Sequence, residues 1–221
     1  MLRQNWWKGL CIVLLTSTVI TGLLIPVPAR PNLNESIRNY FFHPPLWIVM
    51  MVQFTVSVVY SIKYLRSSSL RHDLVAREFA ITGLFFGLLG ICTGMFWANF
   101  TWGAFWTGDP KLTGTAIGLL IYSAYLVLRG SLTDIDKRAR MAAVYNIFAY
   151  AMLFPTIFII PRMVESLHPG GTGNPVISPK DVDPRMFLIF WTLAAPGWIL
   201  LGLWITSLRI RIAKIYLNDI Q

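Results

Sequence analysis

Two histidines and a run of aromatic rings are the residues of this 221-residue chain best suited to hold a ligand. His43 stands in "YFFHPPLW" and His168 in "ESLHPGG". Between them, "TGMFWANFTWGAFWTGDPKLTG" (residues 93–114) places Phe96, Trp97, Phe100, Trp102, Phe105 and Trp106 within eleven positions. Imidazole is a common axial ligand of porphyrin iron, and large flat side chains give a flat apolar disc broad contact. Two imidazoles from separate segments could grip one iron from opposite faces over a floor of indoles, so haem fits. The proline after each histidine biases that residue away from helical geometry, so each ring is expected to project from extended chain. The plainer reading is a membrane-interface belt, where Trp and Tyr gather with no ligand involved. A belt spreads its rings over several helix ends, whereas these six share one connection. On the residues alone both readings stay open.

The elements that must position these groups are membrane spans. The chain is 55% hydrophobic and 13% charged, against about 25% charged for a soluble domain. Apolar blocks long enough to cross a bilayer fall at roughly 9–28, 46–65, 78–96, 112–128, 141–160 and 186–208. A lipid-exposed backbone must satisfy its own hydrogen bonds, so each block is expected to be a helix. The reading is an all-α integral membrane protein of six transmembrane helices, one domain over residues 1–221, with no separate soluble unit and no internal repeat. The first block has the early charges and small residue of a secretory signal, but its uncharged run from Gly9 to Ala29 is long for one and is read as span one.

Charge placement sets the orientation. With the N-terminus in the cytoplasm, 13 of the 19 Lys and Arg residues fall inside and six fall outside: Arg30, Arg38, Lys111, Arg162, Lys180 and Arg185. That asymmetry follows the positive-inside rule and puts both termini in the cytoplasm. The net charge of +9 is then mainly a topology signal, and no basic aromatic patch points to nucleic acid. Inside loops are short and basic, at residues 66–77 and 129–140. The outer loops, expected to be periplasmic, hold His43, the tryptophan-rich loop at about 97–111, and His168. His72 sits in the inner loop "SSSLRHDLVAR", where a solvated role is expected.

Other features have structural readings. Gly83 and Gly87, then Gly90 and Gly94, are spaced for close helix packing. Pro155 and Pro196 are expected to kink spans five and six. Cys11 and Cys92 fall in spans, form no CxxC pair, and read as small hydrophobes. The sequons at Asn34 and Asn99 carry little weight.

The stretch Thr93-Gly94, Trp97, Trp102-Gly103, Trp106, Asp109, Leu112-Thr113 resembles the tryptophan-rich "WWD" signature of haem-handling membrane proteins. Length, six spans and one flanking histidine on each side resemble the haem exporter protein C (CcmC) family of system I cytochrome c maturation. The likeness covers nearly the whole chain. The "HPP" at His43 is close to the family's His-Val-Pro, and "LHPGG" at His168 to its Leu-His-Gln-Gly. The resemblance implies axial ligation of haem iron by His43 and His168. It also implies cofactor contact by Trp97, Trp102, Trp106 and Asp109, with Phe96, Phe100 and Phe105 completing the apolar bed. Where the family core commonly reads Trp-x-Trp-Asp-x-Arg-Leu-Thr, this chain reads "WTGDPKLT". Gly108 replaces a tryptophan, Lys111 replaces the arginine, and Phe105 stands where a further tryptophan is usual. Lysine is a poorer bidentate partner for a carboxylate than arginine.

The expected function is cytochrome c biogenesis in the bacterial inner membrane. The chain would hold haem b non-covalently and transiently at the periplasmic face and pass it to a periplasmic haem chaperone. Implied partners are ABC transporter subunits, a small single-span subunit and membrane lipid. No P-loop motif is present, so no ATPase or other enzyme activity is expected of this chain. Two rivals are a bis-histidine electron-transfer cytochrome and a small-molecule transporter. The first would need a second haem or quinone site and has only His72 left. The second would place ionisable residues inside spans, where this chain has few.

Overall fold

A computed structural model describes residues 5–29, 33–168 and 182–218. Arg3, Arg30, Lys180 and residues 169–181 of the third outer loop lie outside the described residues. Among those described, the chain is helical throughout with no strand. Six segments are long and apolar enough to cross a membrane: Trp6–Leu24, Asn34–Ser67, Leu70–Trp102, Pro110–Ser131, Ile135–Met163 and Pro184–Ile215. The protein is a multi-pass membrane protein.

The first segment is α1 (Trp6–Leu24). A 3-10 helix, Asn34–Phe41, leads into α2 (His43–Ser67), followed by α3 (Leu70–Trp102) and α4 (Pro110–Ser131). The fifth segment joins α5 (Ile135–Leu153) to α6 (Ile160–Met163) through a π-helical turn, Phe154–Ile159. The sixth joins α7 (Pro184–Ile189) to α8 (Ala195–Asn218) through a second π turn, Phe190–Ala194. Pro155 lies in the first of these turns and Pro196 just after the second. Proline cannot donate the interior helical bond, and wider turns at these points absorb the loss.

The boundaries of span three are corrected. The expected block 78–96 is the middle of α3, which runs 33 residues, about 50 Å at 1.5 Å per residue. The inner "loop" between spans two and three shrinks to a tight turn at Ser68, whose φ is 52°. The charges expected in solvent there are helical and partly buried. Asp73 forms a two-toothed pair with Arg129 at 2.6 and 2.7 Å. Glu78, 2% exposed, meets Arg209 at 2.8 Å. Pairing is what makes a buried charge tolerable.

α2 and α3 form an antiparallel central pair whose register is set by glycines. A Cβ added at Gly83 would press on Phe54, at Gly87 on Met50, at Gly90 on Trp47, and at Gly94 on His43. Small residues on α3 therefore admit, turn by turn, a large side chain from α2. Below the histidine, the core stacks Phe54 on Tyr122 with centroids 3.5 Å apart. Some buried polar groups pair across the helices: Thr206 donates to Gln53 at 2.9 Å, and Asn146 donates to Ser57 and Ser61. Cys11 is buried, with its thiol on the Gly197 carbonyl; Cys92 is exposed instead, on the outward face of α3.

α4 approaches the fifth segment most closely at Gly114. A Cβ on Gly114 would overlap the Thr156 carbonyl oxygen. Gly114→Ala is expected to cost about 3 kcal/mol through forced separation of the two helices. Gly130→Ala, with open space around it, should be neutral. Thermal unfolding of the two variants in detergent checks the contrast.

Candidate functional site

The connections at one end of the bundle bring the chemistry together. His43 is the first residue of α2, with prolines in the two following positions. This corrects the expectation of an extended segment: proline at the start of a helix loses no hydrogen bond and is pre-set for helical φ. The ring consequently lies against α3 at Gly94, with 2.9 Å between a Cβ built there and Cε1. His168, by contrast, is outside any helix.

Each imidazole is held through Nδ1. The His43 Nε2 accepts a hydrogen bond from the Trp47 indole at 3.2 Å, so its proton resides on Nδ1, which donates to the Thr93 hydroxyl at 2.9 Å. Thr93 in turn donates to the Leu89 or Gly90 carbonyl. On His168, Nδ1 lies 2.9 Å from the Asp109 carboxylate, which can only accept. His168 is thus set to offer Nε2 to a metal, with Nδ1 tied to an outer partner, whereas the His43 Nε2 lone pair is held by the Trp47 indole, which would have to release it before a metal could bind there. Sequence reading missed Thr93 and Trp47. The signal was present in their spacing: His43 and Trp47 are four apart on α2, as are Gly90 and Gly94 opposite them.

Asp109 caps α4 by accepting from the Lys111 amide. It also accepts from the Ser166 hydroxyl and the Leu167 amide, both at 2.8 Å. Burial works against its ionisation. The hydrogen bond and charge of His168, with the bonds from Ser166 and Leu167, outweigh that and hold the carboxyl well below the usual carboxylate range. Asp109 is 3% exposed and acts on His168 instead of facing the cavity.

The aromatic run divides in two. Its first half is helical, because α3 continues to Trp102 and ends at Gly103, whose φ is 79°. Trp97 packs edge-on against His43 at 5.8 Å and donates to Ser36 at 3.2 Å. Trp102 packs edge-on against His168 at 5.0 Å. Each tryptophan therefore supports one histidine. Phe96, Phe100, Phe105 and Trp106 do not join them: they are 46 to 77% exposed and line no part of the cavity between the imidazoles. They stand where an interfacial belt would. Gly108 has φ 71°, a conformation costly for a tryptophan, which accounts for the departure at that position.

His43, His168, Trp97 and Trp102 line one cavity of about 570 Å³, and a narrow recess of about 40 Å³ lies among the same four side chains. That is within the range of ligand pockets, roughly 300–1,000 Å³. The cavity descends along α2 past Met50 and Met51 to Thr55 and Val56, about 18 Å from His43 to Thr55. Among the described residues its wall is apolar apart from the histidines, two threonines, Lys111, Arg162 and the tyrosine and tryptophan tips, and no acidic side chain among them lines it. Two neutral-capable imidazoles, two indoles and a deep apolar trough suit a flat apolar group carrying a metal.

Known proteins point the same way. The family model for heme exporter protein C matches residues 2–219. Heme exporter protein C of Rhodobacter capsulatus is 24% identical over 220 residues, covering 93% of this chain and 84% of that relative. The Paracoccus denitrificans protein of the same name is 23% identical over 201 residues, 87% of this chain and 80% of its own length. Cytochrome c biogenesis protein CcsA of Gloeobacter violaceus is 42% identical over 115 residues, half of this chain but only 33% of that longer protein. The chain belongs to the heme exporter protein C family.

Proposed function

We propose that this chain works in cytochrome c biogenesis by holding haem b transiently between His43 and His168 and delivering it to a periplasmic haem chaperone. The observation that carries the reading is that two histidines, 125 positions apart, line one cavity with each Nδ1 committed elsewhere. Family membership and the printed names of the relatives support it. Haem is the cargo. Trp97 and Trp102 buttress the two imidazoles, and the apolar trough along α2 receives the ring. His168 sits on a loop and is 30% exposed, so one of the two grips can open without disturbing the bundle, as delivery requires.

The protein resides in the bacterial inner membrane with both termini in the cytoplasm and the cavity on the periplasmic side. It acts without catalysis of its own, beside ABC transporter subunits that hydrolyse ATP and a small single-span subunit. An electron-transfer role is disfavoured by the position of His72. That residue opens α3 and pairs with Ser67, about 37 Å along the helix from Trp97.

The chain purified in detergent from haem-replete cells is expected to show a Soret band with the α and β bands of low-spin haem. A preparation that stays without these bands after haem is added contradicts the reading. Reporter fusions should place residue 105 outside and residue 135 inside; the reverse would overturn the orientation.

A further inference from the structure

We infer that Trp47 is a latch on His43: its indole must leave the imidazole before His43 can take iron, so His168 engages the ligand first and His43 second. This rests on the haem reading above and adds an order of loading to it. Trp47 stands one turn after His43 on α2, and its indole N–H donates to His43 Nε2 at 3.2 Å. The two rings meet edge-on with centroids 5.9 Å apart. Nδ1 of the same imidazole is held by Thr93 at 2.9 Å, and a Cβ built on Gly94 lies 2.9 Å from Cε1. With Nδ1 tied to α3 and the ring seated on Gly94, Nε2 is the nitrogen left for a metal, and the indole covers it.

The indole has room to leave. Behind it lies Gly90, where an added Cβ would come within 2.9 Å of Cε2 and Cζ2. The ring is half-buried and also lines the cavity of about 570 Å³, so it is backed by α3 and borders the trough. Trp97, the other indole beside His43, is tethered through its own N–H to Ser36 and does not compete for the imidazole. His168 carries no matching cap: among the described residues Trp102 meets it edge-on and donates no hydrogen bond to it, and the side chain is 30% exposed. A neutral hydrogen bond of 3.2 Å is at the long end of the ordinary range, so it delays a metal without excluding it. When the indole turns away it keeps its proton, and the Nδ1 proton stays with Thr93. The step exchanges one hydrogen bond for one iron–nitrogen bond and moves no proton. On release the indole recaptures the imidazole. That lowers the affinity of the site and suits a ligand held only to be passed on.

Stopped-flow mixing of the full-length chain in detergent micelles with ferric haem reads the order. Wild type should give a first phase with a high-spin spectrum and a rate that rises with concentration. A slower phase, independent of concentration, should then produce the low-spin bands. Trp47→Phe keeps an aromatic ring over Gly90 and removes the donor. It should speed the second phase and tighten overall binding by about 5-fold, the worth of one neutral hydrogen bond. Trp47→Leu, with neither donor nor aromatic ring, should do the same, and His168→Ala should lose the first phase. A second phase and an affinity unchanged in Trp47→Phe would overturn the inference. So would weaker binding in that variant, which would mark Trp47 as a supporting wall, and so would acceleration by leucine alone, which would put the barrier in the ring's bulk. A wild type that turns low-spin in one concentration-dependent step, or a first phase that survives in His168→Ala, would overturn the order. A wild-type chain without low-spin bands at any haem concentration would overturn the haem reading itself and this inference with it.

Discussion

Asp109→Ala is expected to lower haem affinity by about 10- to 100-fold, the usual cost of removing an outer partner of a metal-binding histidine, while the six-span bundle stays folded. The carboxylate ties together the cap of α4, the loop at Ser166 and Leu167, and the His168 ring. Removing it frees His168 to turn and leaves two loop donors without their acceptor. Asn at this position keeps the shape and one acceptor, so Asp109→Asn should fall between wild type and alanine. The pH dependence has a definite sign. Because the folded-state pKa is depressed, the anchoring is fully present above the ordinary carboxylate value of about 4. It is lost only as pH falls through the lower folded-state value. Soret titrations, with tryptophan fluorescence as a check on folding, measure both effects. An alanine variant with wild-type affinity would remove Asp109 from the account.

Loss of either imidazole should be larger still. His43→Ala and His168→Ala are each expected to turn the low-spin spectrum high-spin and to weaken binding by roughly 100-fold, about 2.7 kcal/mol. The two sites differ in surroundings, and so should the variants. His43 is wedged among Thr93, Trp47, Trp97 and Gly94, so alanine there leaves an enclosed void. His168 is partly exposed on its loop. Added imidazole should therefore restore the low-spin bands more readily in His168→Ala than in His43→Ala. Absorption spectra across an imidazole series read the difference.

Much of this architecture was legible in the residues. Six apolar blocks gave six spans because hydrophobic length alone dictates that a segment enters a bilayer. The prolines at 155 and 196 marked the two wider turns because proline's missing donor has a fixed consequence. His43 and His168 were placed at one end of the bundle because an even number of crossings separates their loops. What the pattern could not reveal was where α3 stops. Phe96 to Trp102 are as compatible with helix as with loop, and only the positive φ of Gly103 ends the run. Helix geometry then sorts the rings. Trp97 and Trp102 face the histidines, whereas Phe96 and Phe100 turn outward, a division invisible while the stretch is read as a loop. Asp109 was read as a contact to the ligand, but its burial against Ser166 and Leu167 depends on a fold-back of the third loop that local sequence does not encode. Arg162 was counted only as a topology charge, whereas in the fold it lines the cavity.

Near-infrared magnetic circular dichroism of ferric haem bound to the full chain is the decisive measurement, since the position of the porphyrin-to-iron charge-transfer band reports which two atoms coordinate the metal. Convergence of His43 and His168 predicts the low-spin bis-imidazole band in wild type and its loss in each single alanine variant. A band from another ligand pair, or an unchanged wild-type band in both variants, would contradict it.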